Sequence, residues 1–216
     1  MIQILLGSIL LGLTHALIPN HWFPLAAVSM QQKWDARDSF QITLITGFLH
    51  TLSTIIIGVI IGFIGYTLSN AVDTISHIIA PALLALLGLV FLVIHFRHLG
   101  SHEHEHGHLD TKKVEEASKR SKSAVVIAIA TMMFFSPCIE IEAYFFAAGQ
   151  FGWTGILTLS AVYMFITLVM LSLLVQLARK GMKSLSERLH FLEHNERLIN
   201  GIILITLAAF MLLAGE

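Results

Sequence analysis

Six stretches of this chain, at residues 2–30, 40–68, 75–96, 124–149, 153–178 and 198–214, are apolar on every face, and that pattern constrains the fold most. A helix crosses a hydrocarbon core of about 30 Å with about 20 residues. Runs without a polar face are solvated by lipid and do not lie on a protein surface. A soluble alternative fails on supply, because only 12% of the 216 residues are charged against about 25% in ordinary soluble domains. Mean hydropathy is +0.78. The net charge of −1 carries no nucleic-acid signature. The expected fold class is an all-α polytopic membrane protein of six transmembrane helices, a single domain over 1–216. Residues 1–16 have the apolar length of a signal peptide, but no basic region precedes them, and Pro19, His21 and Pro24 interrupt the adjoining stretch. They are read as part of the first span.

The charge map gives an orientation. All 13 Lys and Arg residues fall after spans one, three and five or at the borders of those loops: Lys33 and Arg37, then Arg97 to Lys122, then Arg179 to Arg197. The opposite side has none. By the positive-inside rule the odd loops are cytoplasmic and both termini face outward, as in a protein of the bacterial cytoplasmic membrane.

Six spans divide into two sets of three, and an odd number per set requires inverted topology. The repeats would be 1–97 and 124–216, joined by a His-rich cytoplasmic loop at 98–123. Span one contains Ile18-Pro19-Asn20-His21, and span four contains Ser136-Pro137-Cys138-Ile139-Glu140-Ile141-Glu142. Proline removes a backbone donor and frees carbonyls near the middle of the membrane. Several spans exceed 25 residues, so helices one and four are expected to break at Pro19 and Pro137. Matching breaks in two halves mark a substrate site.

The polar residues inside the spans carry the chemistry. Glu140 and Glu142 are the only acidic residues there, and no intramembrane Lys or Arg exists to pair with them. A carboxylate at the bilayer centre costs on the order of 3 kcal/mol. Their partners are then a cation, a proton, or His15, His21 and His50. At 1.5 Å per residue His50 lies roughly 15 Å from one end of its span, and His15 and Pro137 lie roughly 20 Å from the ends of theirs. All converge near the midplane. Imidazole, thiol and carboxylate form a ligand set for nickel, cobalt, zinc or iron, whereas calcium and magnesium want oxygen. Cys138 is the single cysteine, which excludes an intramolecular disulfide. The loop run Ser-His-Glu-His-Glu-His-Gly-His, with His102, His104, His106 and His108, would collect or sense ions without fixed geometry. A short helix is expected at 185–192, with His190 and His194 on one face.

The stretch Thr14-His15-Ala16-Leu17-Ile18-Pro19-Asn20-His21 resembles the H-x4-D-H signature of the nickel/cobalt permeases. It is most similar to their six-span efflux branch and to the related hydrogenase/urease accessory membrane proteins, within the lysine-exporter-like six-helix transporter superfamily. His50-Thr51 resembles the His and small hydroxyl residue on the family's second helix, and Ser136-Pro137-Cys138 its proline-cysteine element. A His-rich loop between the third and fourth helices is a further likeness. Asn20 stands where the signature has Asp, and Glu140 and Glu142 depart from the exporters' pattern; they compensate by supplying carboxylate from the other half. The superfamily's thiol-redox carriers need two membrane cysteines, and this chain has one.

The resemblance implies divalent-metal transport. The expected metal residues are His15, His21 and His50 as nitrogen ligands, Asn20 as a carbonyl-oxygen partner, Cys138 as a soft ligand, and Glu140 and Glu142 as sources of charge. No nucleotide-binding motif is present, so an ion gradient is the expected driver, and protons compete for the same groups. The partners are the metal ion, protons and the lipid bilayer, with no nucleic acid and no organic cofactor, and a homo-oligomer is allowed. An intramembrane metalloenzyme and a metal-holding accessory protein are the alternatives; without HExxH or another catalytic spacing, the chain is read as no enzyme.

Overall fold

The computed structural model describes residues 1–71, 78–98 and 121–214, and every element in them is a helix. In chain order these are α1 (Ile2–Leu17), α2 (Pro19–Gln31), α3 (Ala36–Ala71), α4 (Ala80–His98), α5 (Lys122–Phe134), α6 (Ile139–Gly149), α7 (Gly152–His194) and α8 (Glu196–Ala214). The His-rich run from His102 to His108 lies outside the described residues, as do the side chains of Asn20, His190 and His194.

Among the described residues, four stretches are long and apolar enough to cross a membrane: Ile2–Gln31, Ala36–Ser69, Ala80–Arg97 and Gly152–Gly181. Two shorter apolar helices, Lys122–Phe134 and Arg197–Leu213, accompany them. The surface is inverted relative to a soluble protein. Ile60, Phe135, Phe165 and Leu213 point outward, while Ser8, Thr43, Thr46, Thr51 and Thr54 are buried. An apolar exterior of this extent is compatible with a multi-pass membrane protein. Three of these hydroxyls, on Thr46, Thr51 and Thr54, are satisfied by donating to carbonyls one turn back on α3.

Pro19 and Pro137 each stand at a helix break. α1 ends at Leu17, Ile18 is extended at φ −66° and ψ 129°, and Pro19 begins α2. Proline fits there because the first residue of a helix has no intrahelical partner for its N–H. The Leu17 carbonyl freed by the break accepts a hydrogen bond from Trp22 Nε1 at 3.3 Å, and Trp22 is wholly buried. The second break is wider. α5 stops at Phe134 and α6 starts at Ile139, with Cys138 extended at the N-cap.

Small residues bring the helices close enough to position these breaks. A side chain at Gly65 of α3 would collide with the Phe146 carbonyl oxygen, and one at Gly149 of α6 with the Gly62 carbonyl oxygen. The α3 and α6 backbones therefore touch, as small-residue seams permit between apolar helices. α1 runs antiparallel to α6. His15 meets Cys138 at one end of the pair, and Tyr144 donates to the Gln3 carbonyl at 2.6 Å toward the other. α7 is interrupted at Gly181, where φ −164° and ψ 53° are not helical. The expected helix at 185–192 is the continuation of α7 beyond that point.

Two apolar clusters flank the breaks. One gathers Ile4, Tyr144, Phe145, Leu159, Tyr163 and Leu204, and includes Cys138. The other gathers Trp22, Leu25, Trp34, Leu171 and Val175, and includes Met133.

Candidate metal centre

The two breaks and α3 deliver four ligand side chains to one point. His15 comes from the last turn of α1, His21 from the first turn of α2, His50 from mid-α3, and Cys138 from the N-cap of α6. One ligand atom from each lies within 4.8 Å of all the others. The ring centroids of His15 and His21 are 4.4 Å apart, those of His21 and His50 4.6 Å, and those of His15 and His50 5.8 Å with planes 14° from parallel. Cys138 Sγ is 3.3 Å from Nε2 of both His15 and His50. Around a tetrahedral ion with bonds of about 2.0–2.3 Å, neighbouring ligand atoms sit about 3.3–3.6 Å apart. The Cys138 thiol therefore already lies at a tetrahedral edge length from two imidazoles, and a pair at the 4.8 Å limit must close by about 1.2–1.5 Å to match it.

The geometry fixes the proton positions on one ring. His50 Nδ1 is 2.9 Å from the Met133 carbonyl oxygen. A carbonyl only accepts, so Nδ1 carries hydrogen, and it is Nε2 that faces Cys138 and offers a lone pair whenever the ring is neutral. This is how proteins orient metal-ligating imidazoles. The Met133 carbonyl lacks its helical donor because the residue four on is Pro137, and it also accepts from the Ser136 N–H at 3.3 Å. The other side of the break is also held by α3, since the Cys138 backbone N–H donates to Thr54 Oγ1 at 3.4 Å. Thr54 in turn donates to the His50 carbonyl at 3.2 Å. His50 and Thr54, one turn apart, thus clamp both ends of the second break.

The carboxylates are placed differently from each other. Glu140 lines the cavity that the four ligands face, but no oxygen of it belongs to the four-ligand group. Glu142 is buried, does not line that cavity, and has no hydrogen-bond partner for either oxygen among the described residues. The cavity has a volume of about 360 Å³ and is lined further by Phe91, Met132, Met133, Ser136 and Pro137. It has room for an ion with six waters, which occupy about 180 Å³ in bulk liquid.

Sequence reasoning named the four converging ligands and missed three contributors. Thr54 and the Met133 carbonyl orient the ligands, and Tyr163 of α7 packs its ring 5.8 Å from that of His15. A hydroxyl residue four positions after a mid-span His was the available signal for Thr54. Pro137, four residues on and without an N–H, was the signal for the Met133 carbonyl, whereas Tyr163 left none. Compared with known proteins, the chain matches no family model, no curated protein and no solved structure.

Proposed function

We propose that the chain is a secondary transporter that moves a divalent transition-metal ion across the cytoplasmic membrane. In this reading it has six spans arranged as two inverted repeats, with both termini outside. The observation that carries the reading is the convergence of three imidazoles and one thiol within 4.8 Å, delivered by two broken helices beside a roomy cavity. Nitrogen and sulfur donors favour nickel, cobalt, zinc or iron over calcium and magnesium. The ion is the cargo here and is not a resident cofactor.

Charge balance supports a divalent ion. Bound by three neutral imidazoles and the Cys138 thiolate, it leaves one positive charge in a site of low dielectric. The Glu140 carboxylate, lining the same cavity, brings the sum to zero. A buried net charge without such compensation costs several kcal/mol. Loading the ion displaces the thiol proton, and protons compete for every ligand lone pair, which gives metal/proton antiport a direct physical route. A His-rich run on the cytoplasmic side by the charge map supports efflux.

Flux into proteoliposomes tests the reading, using purified protein, a trapped metal-sensitive dye and manganese, iron, cobalt, nickel and zinc ions. Saturable entry of one or more of the last four, abolished by His21→Ala, is expected. Stoichiometric binding without flux would instead establish the metalloenzyme or accessory reading.

A further inference from the structure

His15, Cys138 and Glu140 face two cavities. Besides the large one, they line a small enclosed space of about 10 Å³ completed by Leu11, Ile141, Tyr163 and Asn200. That volume is about one water's worth. Its position follows from the chain direction. Leu11 lies one turn before His15 on α1, and Ile141 one turn after the N-cap Cys138 on α6. Both steps lead toward the end of the pair where Tyr144 meets Gln3. Met132, Met133 and His21, which line the large cavity, belong to the chain segments leading the other way. His15, Cys138 and Glu140 therefore stand between a wide vestibule and a small compartment.

Resting on the transport reading above, we infer that this small compartment is the next station of the ion's path, where Asn200 and Tyr163 provide oxygen donors for a divalent cation that occupies the space of one water. Leu11 and Ile141, exposed by 3% and 2%, are the apolar seal. Two observations beyond the cavity support the assignment. Asn200 is 4% exposed, an amide in the otherwise apolar run Ile199-Asn200-Gly201-Ile202-Ile203-Leu204 of α8, and burying an amide is costly unless it interacts. Tyr163, wholly buried, sets its hydroxyl-bearing ring beside His15. The donor chemistry also changes in a useful direction. An ion held by imidazole and thiolate moves to amide, phenol and carboxylate oxygens, which bind the later transition ions more weakly. A path conducts only when each site is weak enough to be left.

The test measures binding and flux on the same full-length preparations. Cobalt(II) titration in detergent reads the thiolate charge-transfer band of the ligand cluster, and proteoliposomes read transport of the ion the wild type carries. Asn200→Leu is expected to keep the band and its stoichiometry while losing about tenfold or more of the flux, the scale on which supporting groups at metal sites act. Asn200→Gln, which keeps the amide, is expected to retain most of the flux. Wild-type flux in Asn200→Leu overturns the inference. So does loss of the cobalt band in that variant, which would make Asn200 part of the cluster or of the fold. Equal loss in Asn200→Gln overturns it too, since an amide would not suffice. Absence of flux in the wild type refutes the transport reading itself, and this inference with it.

Discussion

The most discriminating single change is Thr54→Val. Valine keeps the β-branched shape in a helix interior and removes only the hydroxyl. That hydroxyl makes two contacts, donating to the His50 carbonyl at 3.2 Å and accepting from the Cys138 N–H at 3.4 Å. Losing the first removes a side-chain partner from a carbonyl inside a helix, a small effect. Losing the second strands a buried donor, and a stranded donor costs about 1–3 kcal/mol. The contact is long, which puts the penalty near the low end. The N-cap residue so released is also the one that carries the thiol. Groups that orient metal ligands are worth about 10–100-fold in affinity, and about 1.4 kcal/mol corresponds to tenfold. Both figures lead to a weakening of about tenfold. Competition titration of cobalt(II) in detergent, against a chelator of known affinity, measures it. Thr51→Val is the internal control, because the Thr51 hydroxyl bonds to the Gly47 and Phe48 carbonyls of its own helix. The expected order of affinity is wild type, Thr51→Val, then Thr54→Val about tenfold lower. Equal affinity for wild type and Thr54→Val, or an equal loss in Thr51→Val, would refute the clamp.

Glu140→Gln keeps the four N and S ligands but leaves a divalent ion one charge short, so flux should fall while binding of the ion weakens less. Because the exchange of a carboxylate proton is removed, the variant's residual flux should depend less on pH, and unchanged pH-dependent flux would remove Glu140 from the mechanism. Gly65→Ala places a methyl against the Phe146 carbonyl oxygen, well inside contact distance. Backbone cannot yield as a side chain does, so about 1–3 kcal/mol of stability should be lost. A lowered melting temperature in detergent checks this, and a wild-type melt would mean that the α3–α6 seam tolerates separation.

Apolar runs located the helices and misplaced their ends for definite reasons. The stretch 40–68 is helical over Ala36–Ala71, because Asp35 caps the start with its Oδ1 2.6 Å from the Asp38 N–H. Hydropathy registers the lipid-facing part of a helix and not its cap. The stretch 153–178 extends to His194 since the polar residues beyond it are good helix formers and Gly181 interrupts without ending the element. The proline breaks were legible in kind, but not in width. Each proline disfavours helical geometry at the residue before it, Ile18 and Ser136; Pro19 is itself the first residue of the new helix, whereas Pro137 precedes the N-cap Cys138, leaving Phe135–Cys138 outside both helices. The segments 72–77 and 99–120, which hold His77 and the His-rich run, lie outside the described residues.

At the site, residue type and depth sufficed to name His15, His21, His50 and Cys138, because few chemistries justify such groups inside apolar spans. Depth alone does not separate the two glutamates. Two residues apart on a helix point about 200° apart, so at most one of Glu140 and Glu142 faces a given cavity, and that one is Glu140. The same helical periodicity separates the two threonines near His50. Thr51 is turned from it by about 100° and bonds within its own helix, whereas Thr54, four residues on, returns to within about 40° of the His50 direction. A helix that presents His50 to one side of a break therefore presents Thr54 to the other. Helical periodicity thus brings Thr54, and not the adjacent Thr51, to the break, and the hydrogen bond from the Cys138 N–H results from it.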